Sequence, residues 1–309
     1  MLVGVYEFNC SFESGAILPE FKGSTLRGGL GRSLKRIACA LHRQKCGDCL
    51  LVETCAYTFL FETKEGIPVP GDAQRIPYRP HPYALVPPDT IKKEYNAGDK
   101  FSFSIILFGK ANEFLPHILY AVQETGREGL GKKSQANGRF RVDHVRNGNE
   151  FIYEEGRLKT NTQLLDLAVG PYPADEIKEI MLSCKTPLRL KSGNHLQDGL
   201  PFHLLIRAAL RRISSLEATY GDGEPLLDYK GLAARAADVH TVQTDCCWID
   251  IERYSSRQKT AMLIGGIKGS LTYQGGNLAE FLPLLRYCEV THLGKQTTFG
   301  LGRIQVAWE

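Results

Sequence analysis

The chain has 309 residues, 43% hydrophobic and 23% charged, a composition that fits one large or two ordinary globular domains and excludes the disordered and fibrous classes. No stretch approaches the roughly twenty apolar residues that span a bilayer, and Glu7 interrupts the opening MLVGVYEFNC where a secretory segment would be apolar, so a cytoplasmic protein without a membrane partner is expected. A net charge of +4 points only weakly to an acidic partner, and where the charges fall matters more.

In chain order, Leu2 to Phe12 alternates apolar and polar residues and predicts a strand. Leu26, Leu30, Leu34, Ile37 and Leu41 then form one apolar stripe at helical spacing. This helical segment carries Lys22, Arg27, Arg32, Lys35, Arg36, Arg43 and Lys45 and no acidic residue, a one-sided face suited to phosphates, although such a run also reads as a solvated surface. Gly28, Gly29 and Gly31 each cost roughly 1 kcal/mol in a helix interior relative to alanine, which a close backbone approach to the sheet or to RNA would offset.

Of nine cysteines, Cys39, Cys46, Cys49 and Cys55 fall close together, and a C-x2-C flanked by further cysteines matches tetrahedral zinc. A structural zinc is expected there, with His42 able to replace Cys39 as fourth ligand. Cys10, Cys184, Cys246, Cys247 and Cys288 are scattered and read as small hydrophobes.

A strand near Tyr57 to Glu62, a proline-rich stretch through Pro88, a strand from Phe101 to Gly109, a helix from Glu113 to Gln123 and a strand from Arg139 to Val145 complete a first half. A linker is expected near Glu155 to Asp175, where Asn161, Gly170, Pro171 and Pro173 collect, dividing the chain into domains 1–165 and 166–309. The second half reads as a strand from Ile177 to Cys184 and a helix from Pro201 to Tyr220 with Phe202, Leu205, Ala209, Ile213 and Leu216 inward. Strands from Cys247 to Tyr254 and Ala261 to Tyr273, a helix from Leu278 to Tyr287 and a strand from Gly302 to Trp308 follow. Each half has the order βαββαβ, so the expected fold class is α+β: tandem ferredoxin-like domains, the first with a Cys-rich zinc-binding insertion.

The halves also share sequence. EFLPHILY from Glu113 and EFLPLLRY from Glu280 have Glu, Phe, Leu, Pro and the final Tyr in common. A glycine-and-lysine loop and a strand follow each, LGKKSQANGRFRV from Leu130 and LGKQTTFGLGRIQV from Leu293, as duplication of one unit would produce.

The second loop gathers Gly294, Lys295, Thr297, Thr298, Gly300 and Gly302, a combination of backbone N–H groups, hydroxyls and a cation that suits an oligonucleotide backbone. Its spacing does not match a phosphate loop, and it precedes a strand rather than the helix of a dinucleotide site. A third basic stretch holds Arg253, Arg257, Lys259 and Lys268, with Tyr254 offering a ring on which a base could stack or a half-buried strand residue. Arg139 and Arg141 after the first loop and Arg303 after the second complete the expected RNA contacts.

Taken together, GSTLRGGLGRSLKRIAC with the cysteines and CAYTFLFE, then TPLRL, WIDIERYSSRQKTAMLIGGIKG and HLGKQTTFGLGRIQV resemble the CRISPR repeat-processing endoribonucleases of the RAMP superfamily. The resemblance runs nearly end to end. It implies RNA in or beside a cleft between two ferredoxin-like domains, with precursor CRISPR RNA as substrate and other CRISPR-associated subunits as further partners. It also implies cleavage without a catalytic metal, by attack of a ribose 2′-hydroxyl that leaves a 2′,3′-cyclic phosphate. Family members often carry a histidine at or just after the first helix, and His42 has that place here, sharing a polar face with Lys35. Neighbouring positive charge would hold such a histidine near neutrality. His292, directly before the glycine loop and near Lys295, is the rival acid–base residue. Two other readings remain open: a non-catalytic RAMP subunit that holds guide RNA in an interference complex, and a zinc-stabilised metabolic enzyme whose basic face binds a phosphorylated metabolite.

Overall fold

The computed structural model describes residues 1–41, 44–67, 79–131, 136–159, 162–171, 176–192, 195–196, 199–255 and 260–309. The chain divides into two units, Met1–Asp166 with Ala218–Gly221, and Leu167–Glu217 with Asp222–Glu309. Among the described residues no helix is long and apolar enough to cross a membrane.

The first unit runs β1 (Leu2–Phe12), α1 (Gly23–Ala38), α2 (Ala56–Phe61), β2 (Tyr83–Val86), β3 (Lys100–Phe108), α3 (Leu115–Glu128), β4 (Phe140–Asn147), β5 (Glu150–Glu154) and β6 (Arg157–Leu158). Its strands lie in the order β2-β3-β1-β4-β5-β6, all neighbours antiparallel. Alternation along β1 turns Tyr6, Phe8, Cys10 and Phe12 inward, where they meet the inward residues of β3 and the stripes of α1 and α3. Phe8 stacks on Phe103 at 5.2 Å and Phe12 on Phe101 at 4.6 Å between ring centroids.

The second unit runs β7 (Glu179–Leu188), α4 (Phe202–Tyr220), α5 (Tyr229–Arg235), β8 (His240–Ser255), β9 (Thr260–Gln274), α6 (Leu282–Thr291) and β10 (Ile304–Trp308). The sheet order is β8-β9-β7-β10, again antiparallel throughout. Counting only the four core strands of each unit, both sheets have the order second-third-first-fourth. The inward faces of α4 and α6 bury Phe202, Leu205, Ile206, Ala209, Ile213 and Leu216, and Leu284, Leu285, Tyr287 and Cys288. Two buried tyrosines of this unit are satisfied: Tyr273 donates to the Leu200 carbonyl and Tyr287 to Glu217, both at 2.8 Å.

The shared EFLP segments adopt shared structure. Each enters its helix through a 3-10 turn, Gly109–Phe114 or Leu278–Glu280, and places proline second in the helix, as Pro116 or Pro283, where no backbone donor is missed.

Two local expectations are corrected. Tyr57 to Glu62, expected as a strand, is helix α2, because a short apolar run has no period that separates strand from helix. Its first turn is anchored by the Thr58 hydroxyl, which donates to the Val52 and Cys55 carbonyls at 2.5 and 2.9 Å. The strand itself is Tyr83–Val86, only four residues between flanking prolines, too short to signal alternation. The helical stripe stops before Leu41, which is 37% exposed, since α1 ends at Ala38 and Cys39 is already extended.

Candidate functional site

The basic run of α1 does not act as one face. Lys22 is buried, its ammonium donating to the Glu20 and Thr90 carbonyls at 3.0 and 2.8 Å. Arg36 pairs with Glu124 at 3.2 Å and with Glu128, so the acidic partners absent from α1 come from α3. Arg32, Lys35 and Lys45 remain exposed, while Arg27 is half-buried. The Arg27 guanidinium lies 5.2 Å from the Phe61 ring and the Lys35 ammonium 5.3 Å from Tyr57, so α2 braces both cations. The close approach that Gly29 and Gly31 permit is to neighbouring helices rather than to the sheet. A Cβ on Gly29 would lie 2.6 Å from Thr125 of α3, and one on Gly31 would lie 2.8 Å from the Phe61 ring of α2. His42 and Arg43 fall outside the described residues.

The four clustered cysteines flank short elements: Cys39 follows α1, Cys46 opens a 3-10 turn, Cys49 ends it and Cys55 precedes α2. Burial raises the Cys46 thiol, Lys35 lowers it, and Glu62, Cys39 and Cys55 raise it further. Among the described residues, however, no group of three or more His, Cys, Asp or Glu side chains could hold a metal ion.

In the second unit the glycine-rich loop joins α6 to β10 and is sewn to the end of β7 and to Arg189, the residue that follows it. The Leu293 amide donates to the Gly302 carbonyl at 2.8 Å, the Gly302 amide to Pro187 at 3.0 Å and the Lys295 amide to Arg189 at 2.9 Å. The Arg303 amide donates to the Thr186 hydroxyl at 2.9 Å. Gly302 has φ +73, and a Cβ there would strike the Leu293 carbonyl at 1.8 Å, so the closure requires glycine. The first unit closes its loop in the same way, Leu130 donating to Gly138 and Gly138 to Gly15, both at 2.9 Å.

This closure sorts the expected contacts. Lys295 is exposed and Arg303 half-buried, whereas Thr297 and Thr298 are buried. The Arg253 guanidinium from β8 lies 4.3 Å from the Phe299 ring, which brings the basic hairpin and the glycine loop into one cluster. Lys268 is exposed on β9. Arg257 falls outside the described residues, as does the side chain of Tyr254. Arg139 and Arg141 are exposed in the first unit, Arg141 paired with Asp143 at 2.9 Å.

His292 does not fit the acid–base role that its place before the loop suggested. It is 1% exposed, and burial, with the positive charges of Arg212 and Arg303, pushes its pKa down to about 3 despite a hydrogen bond to the Leu301 backbone. A ring neutral at ordinary pH and sealed from solvent has no access to substrate. Arg212 of α4, to which the sequence alone drew no attention, donates to the Thr291 and His292 carbonyls at 2.7 and 3.1 Å and so holds the end of α6. Phe299 was missed as well. The only signal for either was an arginine flanking the apolar stripe of α4 and an aromatic residue inside a glycine loop.

Residues 182–304 match the family described as CRISPR-associated endoribonuclease Cas6, and residues 1–164 match a family described as an N-terminal domain. A protein of Archaeoglobus fulgidus described as uncharacterized is 26% identical over 290 residues, 94% of this chain and 92% of that protein. Among solved structures, a Cas6 product complex matches with a TM-score of 0.59 at 13% identity over 99% of each chain. Thermus thermophilus Cas6 matches at 0.57 and 11% identity, over 99% of this chain and 98% of that one. A partial Cas6-RT-Cas1–Cas2 complex matches at 0.59 and 12% identity, over 100% of this chain and 46% of that one. At these identities the structures speak for the fold, a mixed α/β arrangement of sheets and helices, and the sequence matches speak for descent. Over residues 182–304 the chain is similar to the CRISPR-associated endoribonuclease Cas6 family, and over its whole length it shares the fold of solved Cas6 proteins.

Proposed function

We propose that this protein binds CRISPR repeat RNA and cuts precursor CRISPR RNA within its repeats, through two ferredoxin-like units and without a catalytic metal. The observation that carries the reading is the glycine-rich loop, closed on the end of β7 and joined by the Arg253–Phe299 contact, inside the stretch that matches the Cas6 endoribonuclease family. An exposed Lys295 on that loop, and exposed Arg32 and Lys35 on α1, supply cations for phosphates.

In the proposed reaction the ribose 2′-oxygen bonds to the adjacent phosphorus as a base removes its proton. The bond from phosphorus to the 5′-oxygen then breaks as an acid protonates the leaving oxygen. His42 is assigned the base role, from its place after the first helix, with Lys35 and Lys295 offsetting charge on the phosphorane. Association with other CRISPR-associated subunits belongs to the same reading, since Cas6 occurs in the partial Cas6-RT-Cas1–Cas2 complex.

The test is incubation of the purified protein with the repeat RNA of its own locus, with and without EDTA. Cleavage in both, a 2′,3′-cyclic phosphate product and arrest by a 2′-deoxy substitution before the scissile phosphate are expected. His42→Ala should slow cutting about a hundred- to ten-thousand-fold while RNA binding survives. Binding without cutting by the wild type would replace the enzyme with a guide-RNA scaffold. Loss of activity in EDTA, restored by a divalent ion, would overturn the metal-free reaction.

A further inference from the structure

We propose that Tyr57 of α2 is a positioning residue for RNA binding: its ring holds the Lys35 ammonium in place on α1 and leaves the charge to meet a phosphate. Arg27, Gly31 and Lys35 lie one turn apart in a single row of α1. Where that row has glycine, a Cβ would lie 2.8 Å from the Phe61 Cε1, so the Phe61 ring fills the room that a side chain at position 31 would take. Tyr57, one turn earlier in α2, stacks on Phe61 with ring centroids 5.5 Å apart and planes 1° from parallel. The Lys35 ammonium is 5.3 Å from the Tyr57 ring and the Arg27 guanidinium 5.2 Å from the Phe61 ring. Two stacked rings thus stand between the two cations of the row, seated on its glycine.

The kind of anchor decides what the cation can do. Arg36 on the same helix is held by Glu124 and Glu128, which offset its charge. A neutral ring fixes an ammonium without offsetting it. Lys35 is exposed, and among the described residues no carboxylate pairs with it. A lysine that moves freely loses rotamer freedom when it closes on a phosphate, and a ring that has already restricted it reduces that loss. The ring therefore acts on the strength of the contact and not on the number of charges. The phosphate role of Lys35 rests on the function proposed above; the stack of rings under it does not.

The test uses the full chain with Lys35→Ala, Tyr57→Leu, Tyr57→Phe and the double variant Tyr57→Leu with Lys35→Ala, measuring repeat-RNA affinity across a salt series. Tyr57→Leu should weaken binding about two- to fivefold, the worth of one exposed contact between cation and ring, at an unchanged salt slope because Lys35 keeps its charge. Tyr57→Phe retains the ring and should bind as wild type does. Lys35→Ala should lower the slope by about 0.7–0.9, and Tyr57→Leu should cost nothing further once Lys35 is alanine. In the protein without RNA, the ring current of Tyr57 should move the Lys35 side-chain methylene proton resonances upfield, and Tyr57→Leu should return them to ordinary lysine positions. Unshifted resonances in the wild type would overturn the anchor whether or not RNA binds. Independent losses that add in the double variant would overturn it too, and so would wild-type affinity in Tyr57→Leu beside a weakened Lys35→Ala, an outcome that keeps Lys35 as an RNA contact. Wild-type affinity and slope in Lys35→Ala would overturn the proposal together with the RNA role of this cation, and a lowered melting temperature there would assign it to the neighbouring Cys46 instead.

Discussion

Alanine at Gly28 and at Gly29 should have opposite effects on the stability of the first unit, although the residues are adjacent in one helix. A methyl group on Gly28 meets only the Arg32 Nη1 at 3.5 Å, so Gly28→Ala should gain the helix-propensity difference of about 1 kcal/mol. A methyl on Gly29 would lie 2.6 Å from Thr125 Cγ2 and 3.2 Å from Leu130 Cδ2. Thr125 is held in place, because its hydroxyl is 3.0 Å from the Ser33 hydroxyl and 2.8 Å from the Ala121 carbonyl, both bonds buried. Relief therefore requires α1 and α3 to separate, and overpacking of this kind costs about 1–3 kcal/mol, more than propensity returns. Gly29→Ala should end about 1 kcal/mol below wild type and about 2 kcal/mol below Gly28→Ala, a separation of about 4–8 °C in Tm for a unit of this size. Thermal and urea unfolding followed by circular dichroism would measure it. If Gly29→Ala melts at or above Gly28→Ala, helix contact is not the reason for glycine at position 29.

Charge-neutralising pairs drawn from Arg32, Lys35, Arg253 and Lys295 should each lower the slope of log affinity against log salt, by about 0.7–0.9 for every phosphate that is no longer neutralised. Arg36→Ala should leave that slope alone and cost under about 1 kcal/mol of stability, since its partners are Glu124 and Glu128; filter binding across a salt series distinguishes the cases, and equal slopes for all variants would refute the assignment. The His292 pKa is pushed down from 6.5 to about 3 by burial, so below pH 6.5 the unfolded chain binds the proton and the folded chain does not. Stability should then fall with pH from about 6.5 toward 3, by up to roughly 1.4 kcal/mol per pH unit, and His292→Asn should lack this component; parallel unfolding curves for the two proteins would contradict it. A structural zinc on Cys46, Cys49 and Cys55 with Cys39 or His42 is proposed from their spacing. Elemental analysis should find one zinc per chain, and a metal-free protein that melts at an unchanged temperature after chelation would reject the site.

The parts of the fold that showed in the sequence are those where one face is buried and one is wet. β1, β3 and α4 were legible because the alternation from Tyr6 to Phe12 and the stripe from Phe202 to Leu216 are direct records of burial. The duplicated loop was legible because its closures depend on particular glycines. What stayed hidden depends on residues distant in the chain. Nothing local tells that Lys22 is buried under Thr90, or that Arg36 is met by acids from a helix formed ninety residues later. Helix α2 was misread because six apolar residues carry no distinguishing period, and β2 because prolines leave it only four residues. His292 looked catalytic for the reason that misleads most such readings: adjacency to a glycine-rich loop says where a residue lies along the chain, but not whether its ring faces solvent.

The position of β10 has a consequence for how the second unit is made. β7 is the first strand of that unit to leave the ribosome, yet one of its edges is completed only by Ile304–Trp308, with Ile180 paired to Trp308. Until those residues emerge, a central apolar strand keeps a row of unpaired backbone groups, a template for pairing with another nascent chain. The first sheet carries the same delay, because β1 keeps one edge open until Phe140–Asn147 emerges, with Phe12 paired to Phe140. Vectorial synthesis thus leaves a central strand half-paired in each unit in turn, and slowing translation just before either closing strand emerges should raise aggregation.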